Sequence, residues 1–120
     1  MLLDGAVKFA RQGREGLARK DYEVMFTGLS QSRDIVFELM TTIREDADPE
    51  LAANAKALYA FLYRTIIEAS HEKDLAKADK AIELLEYERE TWALLMQKLA
   101  GERGTTPRAD AEKPTLSVQG

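Results

Sequence analysis

The sequence predicts an all-α protein, folded as an antiparallel up-down four-helix bundle, and three observations lead to that prediction. Apolar residues recur at three- and four-residue steps through most of the chain, which places them on one face of a helix. Of the three prolines only Pro49 lies before residue 107, and strand-like alternation is absent. Four periodic stretches with three short connections are typical of an up-down bundle.

The first helix is predicted over residues 2–19 and the second over residues 21–44. Gly5, Gly13 and Gly16 weaken the first helix by about 1 kcal/mol each relative to alanine, if they are interior to it. Large apolar residues stand at positions 2 and 3 with no capping residue before them. Either the first turn is frayed or the sequence begins inside a longer helix, and we favour the second interpretation.

The third helix, over residues 51–70, has the clearest start signal. Asp48 is suited to be the N-cap, Pro49 occupies the first helical position, and Glu50 faces the positive end of the helix dipole. Its apolar stripe is wide and consists of Leu51, Ala55, Leu58, Tyr59, Leu62, Tyr63, Ile66, Ile67 and Ala69. Such a helix is either enclosed by neighbouring helices or part of its surface awaits a partner.

The fourth helix is predicted over residues 74–99, with Gly101 placed to end it. The junctions Lys20-Asp21 and Lys73-Asp74 each join a cation at one helix end to an aspartate cap, which predicts very short turns. Residues 102–120 contain two prolines and two glycines. We therefore predict a bundle over residues 1–101 and a disordered tail over residues 102–120.

Composition excludes several classes of function. The formal net charge of -4 argues against a general nucleic-acid binder, which usually carries a basic stripe. No apolar run approaches the roughly 20 residues that cross a bilayer, so no membrane insertion is expected. Without cysteine there is no thiolate site. We therefore expect a single domain that is located in the cytoplasm.

Catalytic and metal motifs are incomplete. His71 is the single histidine, and Glu68-Ala69-Ser70-His71 matches the Glu-x-x-His of di-iron bundles, which need two such motifs. The stretch Gly13-Arg14-Glu15-Gly16 lacks the lysine and hydroxyl of a phosphate-binding loop. The sequence predicts a protein that is not an enzyme and has neither metal nor cofactor.

Some residues allow two interpretations. Arg64 is either half of a surface pair with Glu68 one turn away, or a polar anchor beside an apolar groove. Trp92 is either a core residue or a binding hot spot. The tyrosines Tyr59, Tyr63 and Tyr87 are either core edges or a partner surface. Spacing favours the surface pair with Glu68 for Arg64. A core position is favoured for Trp92, and the two alternatives for the tyrosines stay open.

An ordered set of motifs resembles a known family. Leu2-Leu3-Asp4-Gly5-Ala6 is similar to the Leu-Tyr-Asp-Gly-Ala segment of the FliS flagellar export chaperones. Further similar pieces follow in family-like order: residues 32–40 (SRDIVFELM), residues 58–70 (LYAFLYRTIIEAS), Lys73-Asp74, and residues 82–92 (IELLEYERETW). The similarity covers about residues 2–100 and leaves the tail outside. This sequence departs from the family pattern at Leu3, Ala60 and Thr65, where the family has a tyrosine, an aspartate and an arginine.

The resemblance implies a cytosolic four-helix chaperone that binds the disordered C-terminal segment of flagellin and delivers it to the export gate. Family members usually carry an N-terminal segment before the first motif, which here begins almost at Met1. Helix-in-groove recognition needs surplus apolar surface, as the third helix has. The candidate contacts are Leu3, Val7, Tyr59, Leu62, Tyr63, Arg64, Ile66 and Trp92. Their division between core and groove is open at this stage. The alternative is a non-catalytic helical interaction module, such as a homodimer.

Overall fold

The computed structural model describes residues 2–43 and 48–105, without side-chain detail at 96, 98, 99 and 102–105. This part of the chain forms four helices, which confirms the predicted fold class. They are α1 (Leu2–Ala18), α2 (Tyr22–Thr41), α3 (Pro49–Glu72) and α4 (Leu75–Thr105). The chain divides into two compact units, Met1–Arg89 and Glu90–Gly120, and α4 contributes to both.

Short-range hydrogen bonds set the helix starts as predicted. Asp21 and Asp48 are N-caps whose carboxylates accept from the backbone N–H groups three residues later, at 3.3 and 3.2 Å. Asp74 accepts from the third following residue at 3.2 Å. Lys20 and Lys73 adopt left-handed φ values of 62° and 54° and close the preceding helices. Both predicted lysine–aspartate turns are confirmed.

Helices α1 and α2 approach so closely that their backbones touch. A Cβ atom added at Gly28 would lie 2.7 Å from the Cα of Gly13 and 2.7 Å from the carbonyl oxygen of Phe9. Glycine is required there because no side chain fits between the two backbones. Nearby, the buried Ser32 hydroxyl donates to the carbonyl oxygen of Ala6 at 2.8 Å. The glycines that weaken α1 as an isolated helix therefore permit its packing.

Ion pairs between α1 and α4 show that these helices run antiparallel. Arg14 pairs with Asp79 at 2.8 Å, and Asp4 pairs with Arg89 at 3.9 Å, so residue numbers rise on one helix as they fall on the other. The pairing with Asp79 raises the pKa of Arg14. These contacts agree with the predicted antiparallel arrangement.

The core lies in the first unit and receives side chains from all four helices. Its large aliphatic members are Leu3, Val7, Leu17, Leu29, Val36, Leu62, Ile66 and Leu85, with alanines where the helices pack closely. Burial of this apolar surface is the main stabilising contribution to the bundle.

Two predicted helix ends are wrong. Helix α2 ends at Thr41 instead of near residue 44. Helix α4 continues past Gly101 to Thr105 instead of ending near Leu99. A single glycine costs about 1 kcal/mol in a helix interior, which does not by itself stop a long helix. Residues 106–120 of the predicted disordered tail lie outside the described residues. The domain boundary at residue 101 remains a prediction.

Candidate partner-binding groove

An apolar groove lies between α2 and α3 on the surface of the first unit. It encloses about 200 Å³, with buried Leu29 and Ile66 on its floor and exposed Phe26 and Ile67 among its lining. The remaining lining residues are Ser30, Arg33, Ser70 and His71. Burying such apolar side chains against a partner is favourable because it removes them from water.

The exposed members of this surface follow the helical repeat of α2. Phe26 is 59% exposed and Phe37 is 51% exposed, and they stand on the same face as Arg33. The ring of Phe37 contacts that of Tyr63 on α3, with centroids 5.9 Å apart and planes inclined by 47°. The apolar surface therefore extends along both helices beyond the groove itself.

Adjacent apolar residues explain why this surface is exposed. Val36 and Ile66 are fully buried, and the next residue in each helix is turned by about 100°. Phe37 and Ile67 therefore point away from the core, although they are as apolar as their neighbours. Two such doublets on facing helices leave large apolar side chains in water.

Five of the eight predicted contact residues lie in the core. Leu3, Val7, Tyr59, Leu62 and Ile66 are each at most 4% exposed. A side chain at this depth supports the bundle and has almost no surface to offer a partner, although Ile66 reaches the floor of the groove. Their main visible role in this structure is packing, whereas their contact with a partner stays a prediction.

Tyr59 also makes a polar contact between α3 and α4. Its hydroxyl donates to a carboxylate oxygen of Glu88 at 3.4 Å. Partial burial raises the pKa of Glu88, an effect that the hydrogen bond from Tyr59 opposes. The tyrosine is therefore a core residue whose polar end reaches the seam between two helices.

The other three predicted residues keep accessible surface. Tyr63 is partly buried against the core beside Phe37, and the Arg64 guanidinium lies 6.0 Å from the centroid of the Phe61 ring. The expected pair between Arg64 and Glu68 is not among the ion pairs of the described residues. Glu68 instead accepts from Lys77 at 3.1 Å.

Trp92 is 41% exposed and belongs to the second unit, Glu90–Gly120. The expectation that it is a core residue is therefore wrong for this structure, because the buried core residues are at most 7% exposed and Trp92 is far more accessible to water. Leu94 and Leu95 of the same unit are also exposed.

None of Phe26, Arg33, Phe37 and Ile67 is among the predicted contact residues, although Ile67 belongs to the predicted apolar stripe of the third helix. The available signal was the pair of apolar doublets, since two consecutive residues of a helix cannot both face one core. Choosing the outward member needs the packing of α2 and α3.

The described residues contain no group of three or more histidine, cysteine, aspartate or glutamate side chains arranged to hold a metal ion. His71 lies at the edge of the α2–α3 groove near the end of α3. No helix in residues 2–43 and 48–105 combines the length and apolarity needed to cross a membrane.

The fold and the groove define a class: an antiparallel helical bundle with an open apolar groove on its surface. The chain belongs to the family described as flagellar protein FliS, whose sequence model matches residues 1–99. It is 30% identical over 74 residues to the flagellar secretion chaperone FliS of Bacillus subtilis (strain 168). That match covers 62% of this chain and 54% of the relative, so the chain spans about half the length of that protein.

Proposed function

We propose that this chain is a cytosolic export chaperone that binds the disordered C-terminal segment of flagellin. Binding prevents premature polymerisation and delivers the subunit to the export gate of the flagellar type III export apparatus, without a catalytic step. The observation that carries the proposal is the apolar surface of α2 and α3 in a member of the FliS family, formed by the exposed Phe26, Phe37 and Ile67 and the partly buried Tyr63.

The groove suits a segment that folds as it binds. Apolar side chains repeated every three or four residues on a ligand helix would meet the floor at Leu29 and Ile66 and the rim at Phe26 and Ile67. Ordering the segment costs conformational entropy, so an extensive interface gives only moderate affinity. Moderate affinity suits a chaperone that must release its cargo.

The direct test is a titration of this 120-residue chain with a peptide of the last forty or so residues of flagellin from the same genome. We expect saturable one-to-one binding by calorimetry, with a gain of helix in the far-ultraviolet circular dichroism. Absence of saturable binding would refute the proposal for this chain.

A matched pair of variants on α3 locates the site. Ile67 and Phe61 are 38% and 41% exposed, but only Ile67 lines the groove. We expect Ile67→Ser to weaken binding at least about tenfold, because it removes an apolar side chain that the ligand would cover. Phe61→Ser should change the affinity little. Equal losses in both variants would contradict the α2–α3 assignment.

Tyr63 provides a second variant at the partly buried edge of the surface. Tyr63→Asp places a charge beside Phe37 and should abolish peptide binding while leaving the helical signal largely intact. Loss of the helical signal would show that Tyr63 is needed for the fold. The comparison of Ile67→Ser with Phe61→Ser would then decide the location of the site.

A second candidate function is self-association, favoured by the exposed Trp92, Leu94 and Leu95 of the second unit. Large exposed apolar side chains close together in sequence are typical of contact surfaces. Sedimentation equilibrium should then show a mass that rises with concentration and a shift to monomer in Leu94→Ser.

A further inference from the structure

Arg33 provides the positive charge in the α2–α3 groove. Among the described residues that line it, the groove has four apolar side chains, two serines, His71 and Arg33, and no carboxylate. The protein as a whole carries a formal net charge of -4. The groove is therefore positively charged, whereas the net negative charge of the protein as a whole disfavours acidic ligands.

The guanidinium of Arg33 is only partly engaged. Its Nε and Nη2 atoms both donate to a single oxygen of Asp34, at 3.2 and 3.0 Å. Two of its five N–H donors are used in this way. The pair joins sequence neighbours, and its Asp34 side chain is 70% exposed, so solvent screens it strongly. A ligand carboxylate could therefore form a better oriented, bidentate pair with Arg33.

The position of Arg33 indicates where that carboxylate lies in the ligand. Exposed apolar side chains occur on the same face of α2 on both sides of it, at Phe26 two turns before and Phe37 one turn after. A ligand that covers both aromatic residues must continue past Arg33 in both directions. The carboxylate is then a side chain within the ligand helix and not the end of its chain.

We propose that the α2–α3 groove selects an amphipathic helix whose apolar face is interrupted by one aspartate or glutamate, and that Arg33 binds this carboxylate. The inference rests on the proposed function, because the flagellin C-terminal segment is the ligand through which it is tested. Arg33 fixes the register of the ligand helix, while the apolar residues supply most of the affinity.

The first experiment measures binding of the flagellin C-terminal peptide to the unmodified chain, Arg33→Gln and Arg64→Gln. Arg64 is the control because it is an arginine of the neighbouring helix α3 that lies over Phe61 and does not line the groove. Arg64 is exposed, whereas the Arg33 side chain is 32% exposed. Arg33→Gln should weaken binding about ten- to hundredfold, as expected for a lost charge-assisted hydrogen bond. Arg64→Gln should stay within about twofold of the unmodified chain.

The second experiment locates the ligand carboxylate. Each acidic residue of the peptide is replaced in turn by its amide, and a further peptide has an amidated C-terminus. One side-chain amide should weaken binding to the unmodified chain but not to Arg33→Gln, and lysine in its place should restore binding to Arg33→Glu.

The outcomes separate this inference from the proposed function. If the unmodified chain binds the peptide and Arg33→Gln binds it equally well, the inference is overturned and the proposed function stands. If only the amidated C-terminus weakens binding, the ligand ends at Arg33 and the side-chain assignment is overturned. If the unmodified chain does not bind the peptide, both are overturned.

Discussion

Replacing Gly28 by alanine tests the close packing of α1 and α2. The added Cβ would lie 2.7 Å from both the Cα of Gly13 and the carbonyl oxygen of Phe9, whereas ordinary contacts begin near 3.4 Å. Both obstacles are backbone atoms, which cannot move aside as the end of a side chain can. Because the backbone nitrogen of Gly13 lies closer still, the two helices must separate by at least about 0.7 Å or distort.

The expected cost follows from that separation. A gap of about 0.5–1 Å loses roughly a quarter to a half of the attraction between the surfaces. For buried side chains at this seam, such as Leu29 and Met25, the loss is about 1 kcal/mol each, in line with the 1–3 kcal/mol of typical overpacking. Alanine recovers up to about 1 kcal/mol of helix propensity. The expected net loss of stability is therefore about 1–2 kcal/mol.

Thermal unfolding by circular dichroism measures this loss. A loss of about 1–2 kcal/mol lowers the Tm of a domain of this size by roughly 4–16 °C. Gly5→Ala is the matched control in the same helix pair, since its Cβ would meet only the flexible Cδ1 of Ile35, at 3.2 Å. It should leave the Tm within a few degrees. A Gly28→Ala variant as stable as Gly5→Ala would refute the close backbone contact.

Three further predictions concern other parts of the first unit. Lys20→Gly should raise the free energy of unfolding in urea by about 0.5–1 kcal/mol, because a left-handed φ of 62° disfavours a side chain, and Lys20→Ala should bring no such gain. Ser32→Ala should lower it by about 0.5–1.5 kcal/mol through loss of the buried hydrogen bond to Ala6, and an unchanged urea midpoint would contradict this. Burial raises the pKa of Glu88, so the stability it contributes is present below its ordinary pKa of 4.5 and is lost as the pH rises through the folded-state pKa. Glu88→Gln should therefore gain stability over the unmodified chain at neutral pH and lose that advantage in acid, and a gain confined to acid would show the opposite sign.

The residues of the candidate site could be predicted only in part from the sequence. The sequence predicts a wide apolar stripe on the third helix, in which Tyr63 is partly accessible and the neighbouring Arg64 is exposed. Leu62 and Ile66 belong to the same stripe but are buried. Hydrophobicity is the same for a core residue and a groove residue, so composition and spacing alone could not separate them.

The four helices, and the starts of three of them, could be predicted from local sequence. Capping by Asp21, Asp48 and Asp74 depends on hydrogen bonds to residues three positions away, which are readable from a short stretch of chain. By contrast, the burial of Ile66 rather than Ile67, and the contact between Gly28 and Gly13, could be seen only in the folded chain. These outcomes depend on how whole helices are rotated and how closely they pack, and distant parts of the chain fix both.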